Sequence, residues 1–175
     1  VINVGRQFDG KDQRPLIRSL RHVDAELTLI GRGPLRQALV RTARACGVSG
    51  RVTFVDAVPN ARLPEAFAGH HVFAINIAQP GVCMPVMEAM ALGFPVVINR
   101  PRWEAEPEVC GRCARVVPGT EAGYAGAFAE LLARPERVAE MGAASRATIP
   151  AFSGEEMERR ERDLILRLLG RPVPT

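Results

Sequence analysis

Six short apolar runs, Val1 to Val4, Leu27 to Ile30, Val52 to Val55, Val72 to Ile75, Val96 to Ile98 and Ala114 to Val117, punctuate this chain. Each has the length and residue types of a buried strand, and stretches with helical character lie between and after them. The helices are predicted at Pro15 to His22, from the turn Gly31-Arg32-Gly33-Pro34 to about Cys46, at Leu63 to Gly69, from Pro85 to Gly93, and at Glu121 to Leu132, Glu136 to Ala147 and Gly154 to Leu169. Gly5 to Asp12 reads as a loop and Arg100 to Arg112 as irregular. Short buried strands separated by helices form βαβ units. The expected fold class is therefore α/β, a Rossmann-like parallel sheet of about six strands with helices on both faces.

The best-punctuated unit runs from Pro80 to Asn99. Pro85 suits the first helical position, where a missing N–H costs nothing. Gly93 is a natural left-handed residue beyond a helix C-terminus, and Pro95 stops the helix from continuing. A helix N-terminus delivered at the carboxyl end of a parallel strand offers unpaired N–H groups and the positive end of a dipole, which together make an anion site. The expected donors are the backbone N–H groups of Val82, Cys83 and Met84, since Gly81 permits close approach and Pro85 has no N–H. Glu88 lies about one turn along. Its carboxylate would repel a phosphate in contact with it, so it is placed against hydroxyls such as those of a ribose; the plainer reading is a surface residue complementing the helix dipole.

Composition narrows the function classes. The 175 residues suit one domain, and no apolar run approaches the ~20 residues of a membrane-spanning helix. A formal net charge of +4 hints at nucleic acid, but the cations are scattered, mixed with 19 acidic residues, and not interleaved with aromatic residues that would stack bases. No nucleic-acid partner is expected. The first residue is Val rather than Met, and the chain is read as part of a longer protein. All but one of the 23 Lys and Arg residues are Arg; the exception, Lys11, suits a point-charge contact to a phosphate, with chance as the plain alternative. Cys110 and Cys113 have metal-ligand spacing, but a structural zinc site needs a second ligand pair that His22, His70 and His71 are not spaced to supply. No metal and no cofactor are expected, and free thiols in a reducing cytoplasm are.

In an open parallel sheet the ligand lies outside the carboxyl ends of the strands. That rule gathers Gly5-Arg6, Gly31-Arg32-Gly33, Asp56-Ala57-Val58-Pro59 and Gly81 to Glu88 around one crevice. Gly31-Arg32-Gly33 lacks the third Gly of a dinucleotide fingerprint and reads as a tight turn, with Pro34 opening the helix.

These residues carry a resemblance. Val4-Gly5-Arg6 with Lys11 resembles the Gly-Arg…Lys motif of the group 1 glycosyltransferases, the retaining family four of GT-B enzymes. Gly31-Arg32-Gly33-Pro34-Leu35 resembles their Gly-Asp-Gly-Pro-Leu turn, and Met84-Pro85-Val86-Met87-Glu88-Ala89-Met90-Ala91-Leu92-Gly93-Phe94-Pro95-Val96-Val97 is similar to their central helix motif. Glu108, Val117-Pro118-Gly119 and Phe152-Ser153 are weaker echoes in the same order.

The resemblance implies that residues 1–170 form the carboxyl-terminal, nucleotide-sugar-binding half of a GT-B fold, with the amino-terminal acceptor domain outside this chain. Arg6 and Lys11 would stabilise the leaving diphosphate. The backbone of Gly81, Val82, Cys83 and Met84 would lie along the pyrophosphate and sugar, Glu88 would hold the ribose, and the backbone near Val58 would meet the base. The implied donor is a UDP-, GDP- or ADP-sugar, with no metal. The implied location is the cytoplasm, with any membrane attachment made at the inner face through the other domain. Pro80 stands where the family's motif has its first Glu, the residue that normally contacts the transferred sugar; Gln79 and Glu104 are the candidates to replace it. The alternatives on the same fold are a nucleotide-sugar-binding module without catalysis and a GT-B epimerase or phosphorylase.

Overall fold

The computed structural model of the chain describes residues 1–78, 83–100 and 112–169. Its strands are β1 (Ile2–Val4), β2 (Leu27–Ile30), β3 (Val52–Val55), β4 (Phe73–Ile75), β5 (Val96–Asn99) and β6 (Ala114–Val117). The helices are α1 (Arg14–Ser19), α2 (Arg36–Ala45), α3 (Leu63–Phe67), α4 (Met84–Ala91), α5 (Glu121–Leu132), α6 (Pro135–Thr148) and α7 (Gly154–Leu168). All six strands are parallel, in the order β3-β2-β1-β4-β5-β6. The chain therefore builds outward from β1 in one direction, then returns to lay β4 on its other side. A reversal of this kind leaves a crevice between the carboxyl ends of β1 and β4.

Successive strand residues face opposite sides, and each side has its own core. On one, Leu29, Ala74 and Val97 meet Leu16 and Ile17 of α1, Leu39 of α2, and Tyr124 and Phe128 of α5. On the other, Ile30, Phe73, Ile75, Val96 and Ile98 meet Leu63 and Phe67 of α3 and Val86, Ala89 and Met90 of α4. β4 and β5, inside the sheet, are buried along their whole length, whereas the edge strands β3 and β6 expose Thr53 and Arg115.

Several element boundaries differ from the sequence reading. α1 ends at Ser19 rather than His22, and the Arg51 guanidinium gathers the carbonyl oxygens of Leu20, Val23 (2.8 Å) and Ala25 (3.5 Å) in the turn that follows. α2 opens at Arg36 rather than Pro34: Pro34 and Leu35 form a turn in which the Arg36 N–H donates to the Gly33 carbonyl at 3.2 Å, and the Leu35 N–H donates to the Gln7 carbonyl at 3.0 Å. α3 ends at Phe67, before Gly69, which has a positive φ of 79°. Met84 rather than Pro85 is the first residue of α4; Pro fits the second position as well, since that N–H has no intrahelical partner either. Gly93 has a φ of 80°, the left-handed geometry expected there. The loop after β1 contains a 3-10 turn, Asp9–Lys11.

Candidate functional site

A cleft of about 480 Å3 opens at the carboxyl ends of the strands. Its floor is Val4, Gly5 and Arg6 leaving β1 and Ile30 to Gly33 leaving β2; Ala57 and Val58 follow β3, and Met84, Pro85 and Glu88 of α4 close the opposite wall.

The floor is set by close backbone packing. Gly5 donates to the Ile30 carbonyl at 2.9 Å, Gln7 to that of Arg32 at 2.9 Å, and Gly31 to that of Val55 at 3.0 Å. A Cβ on Gly31, whose φ is 143°, would stand 2.1 Å from the Gly5 carbonyl oxygen, and one on Gly33 would stand 2.2 Å from that of Gln7. The two glycines are thus a tight turn, as read from the sequence, and their smallness brings the exits of β1 and β2 together.

Arg6 is exposed, and its guanidinium sits 5.6 Å from the centre of the Phe8 ring. Gln13, buried at 1% exposure, donates to the Arg6 carbonyl at 3.2 Å and so fixes the backbone that aims it. Lys11 does not line the cleft. It folds back over β1, with Cδ 3.3 Å and Nζ 3.7 Å from where a Gly5 Cβ would be, which places its ammonium beside the cleft floor. Among the described residues neither Arg6 nor Lys11 is paired with a carboxylate. By contrast, Arg32 on the rim is paired with Asp56 at 3.1 Å.

At the start of α4, the Val86 and Met87 N–H groups return to the Cys83 carbonyl. The N–H groups of Cys83 and Met84 have no partner among the described residues, and Met84 is 61% exposed at the cleft wall. Glu88 is half-buried and lines the same wall. Gly81 and Val82, with Gln79, Pro80, Glu104, Glu108 and Cys110, lie outside the described residues. Val58 lines the cleft from the β3 side, whereas neighbouring Asp56 and Pro59 do not.

The remaining sequence candidates are elsewhere. Cys113 is buried in the core beneath α4. His70 bridges the end of α3 to β2, with Nδ1 3.3 Å from the Phe67 carbonyl and Nε2 2.9 Å from the Thr28 hydroxyl, and His71 is exposed. Among the described residues no group of three or more His, Cys, Asp or Glu is arranged to hold a metal ion, and no helix is long and apolar enough to cross a membrane. Sequence reasoning missed Asn60, in the 3-10 turn before α3, and Leu63, the first residue of α3, both of which line the cleft. Neither carries a motif of its own.

Residues 1–134 match the family described as glycosyl transferases group 1. The chain belongs to the group 1 glycosyltransferases. A curated relative, the GDP-mannose-dependent alpha-(1-6)-phosphatidylinositol monomannoside mannosyltransferase of Mycolicibacterium smegmatis, is 35% identical over 159 residues, covering 83% of this chain and 42% of the relative. This glycosyltransferase chain therefore spans less than half the length of that protein. Two crystal structures share its fold: S. aureus TarM, with a TM-score of 0.80 at 15% identity over 93% of this chain and 34% of that one, and Anabaena HepE in complex with UDP, with a TM-score of 0.74 at 20% identity over 85% and 43%. The glycosyltransferase chain is accordingly a Rossmann-like half of a GT-B fold.

Proposed function

We propose that this chain is the nucleotide-sugar-binding half of a retaining glycosyltransferase and that its donor is GDP-mannose. The observation that carries the reading is the cleft at the strand reversal, where Gly5-Arg6 faces Met84, Pro85 and Glu88. Arg6, Lys11 and the backbone of Gly81, Val82, Cys83 and Met84 take the diphosphate, Glu88 takes the ribose hydroxyls, and the backbone near Val58 takes the base. The mannose choice rests on the 34–35% identical relatives, whose names specify GDP-mannose.

Cleavage of the anomeric C–O bond leaves its electron pair on the diphosphate oxygen. Arg6 and Lys11, free of carboxylates among the described residues, together with the α4 N-terminus, are preorganised to stabilise that charge, and the proposal involves no metal. Holding an acceptor near the anomeric carbon contributes roughly 7–11 kcal/mol to such a reaction, and in this reading that task belongs to the portion of the protein beyond this chain. The chain alone then binds donor without transferring sugar. Pro80, in place of the family's first Glu, supports a second reading in which donor binding persists without catalysis.

Titration calorimetry with GDP-mannose, GDP, UDP and ADP tests the assignment. GDP and GDP-mannose should bind, with product assays at background. Binding of none overturns the donor site, preference for UDP or ADP overturns the guanine assignment, and acceptor-dependent turnover overturns the division of labour. In the full-length protein, transfer supports the first reading, and donor binding without transfer supports the second.

A further inference from the structure

Residues 75–78, at the end of β4 and just beyond it, are held by side chains that do not line the cleft. Register pairing between β4 and β5 ends at Ile75 opposite Ile98. Asn99, the last residue of β5 and 6% exposed, replaces the missing backbone rung. Its Oδ1 accepts from the Ile77 N–H at 2.7 Å, and its Nδ2 donates to the Ile77 carbonyl at 2.8 Å and to the Arg100 carbonyl at 3.3 Å. Bonding both the N–H and the C=O of one residue requires an acceptor and a donor side by side, which a primary amide has and a carboxylate lacks.

The flanking residues are held as well. The buried Tyr124 hydroxyl donates to the Ile75 carbonyl at 2.8 Å, with Asn76 Oδ1 at 3.2 Å, and burial pushes the phenol pKa far up, so it remains a donor. Gly119 packs here without a side chain, since a Cβ would stand 3.2 Å from Asn76 Oδ1 and 3.3 Å from Asn99 Cβ. On the far side the Ala78 N–H donates to the Gly10 carbonyl at 3.0 Å, and Gly10 belongs to the 3-10 turn that carries Lys11. Asn99 thus holds Ile77, the next residue is bonded to the Lys11 turn, and Lys11 in turn lies against Gly5 beside Arg6.

We propose that Asn99 is a positioning residue for the donor site: by clamping Ile77 beside Ala78 it sets the height of the Lys11 turn against the diphosphate. This rests on the donor-site reading above. Neither Asn99, Ile77 nor Tyr124 lines the cleft, so they act through the segment and not on the ligand.

The test uses GDP and guanosine as probes. Asn99→Asp keeps the shape and the acceptor but sets an oxygen against the Ile77 carbonyl. It should weaken GDP binding roughly tenfold or more and guanosine binding by less than about twofold, while retaining a cooperative melt. Tyr124→Phe, which removes one hydroxyl, should shift the two ligands in the same unequal way by a smaller factor. Equal loss for both ligands, or unchanged GDP binding, overturns the positioning role. If Asn99→Asp does not melt cooperatively, Tyr124→Phe decides by the same criterion. Failure of the unsubstituted chain to bind GDP overturns the donor site itself, and this role with it.

Discussion

The Asn3 side-chain Nδ2 donates to the Ala74 carbonyl at 2.7 Å, across the seam between β1 and β4. Both residues are buried, and β1 and β4 share only the register pair Ile2 and Phe73. The two strands part toward their carboxyl ends to form the crevice, and the Asn3 amide supplies a bond that their backbones no longer make. Asn3→Ala strands a buried carbonyl without a donor and should cost about 1–3 kcal/mol, read from urea unfolding. A loss below a few tenths of a kcal/mol would show that the seam does not depend on this bond.

Gly31 and Gly33 bring the exits of β1 and β2 together. In Gly31→Ala the new methyl would meet the Gly5 carbonyl oxygen at 2.1 Å, at a φ of 143° that L side chains rarely adopt. The variant should lose more than about 2 kcal/mol of stability, with nucleotide binding weakened because Gly5 and Arg6 are displaced. An unchanged melting temperature with unchanged binding contradicts the packing described.

Lys11 and Glu88 are assigned to different parts of the donor, so their variants should have different signatures. Lys11→Ala should weaken GDP binding by about 1.5–3 kcal/mol, on the order of ten- to a hundredfold, with guanosine nearly unaffected. Glu88→Ala should weaken both ligands, since a charged acceptor is removed from the ribose hydroxyls. If 2′,3′-dideoxy ligands lose as much affinity to Glu88→Ala as the ribose ligands do, the ribose assignment is wrong.

Burial lowers the His70 pKa below its ordinary value. The neutral ring fits its partners, with Nδ1–H donating to the Phe67 carbonyl and Nε2 accepting from the Thr28 hydroxyl. The folded state then binds the proton less tightly than the unfolded chain. The contribution of His70 is complete above about pH 6.5, the unfolded value, and is lost as pH falls from there through the lowered folded value. Melts at descending pH should show a steeper decline for the unsubstituted chain than for His70→Gln. Parallel declines would assign the acid sensitivity elsewhere.

Much of this molecule was legible one element at a time. The apolar runs located all six strands to within a residue at each end, because the strands inside a parallel sheet covered by helices are buried on both faces. Pro85 and Gly93 delimited α4 because proline and glycine act on backbone dihedrals without help from distant residues. The motif residues Gly5, Arg6, Gly31 to Gly33 and Glu88 were legible for a related reason: each follows a strand, and the carboxyl ends of parallel strands share one side of the sheet. Less was legible wherever a distant group competes for a local one. Nothing near Pro34 in sequence says that the Leu35 N–H is claimed by Gln7, and nothing near Ser19 says that Arg51 gathers the carbonyls beyond it.

Local chemistry thus determined the elements, their order and the family motifs, because those depend on dihedral preferences and on alternating burial within a few residues. Tertiary structure alone decided how the strands are ordered and where they part, since the Asn3–Ala74 bond closes across 71 residues and the Asn99–Ile77 clamp across 22. It also decided that Lys11 stands beside the cleft rather than in its lining, because the turn carrying it is tied to Ala78 and folded over Gly5. Such contacts join groups that are ordinary in their own neighbourhoods, and their chemistry emerges only when the sheet brings them within hydrogen-bonding distance.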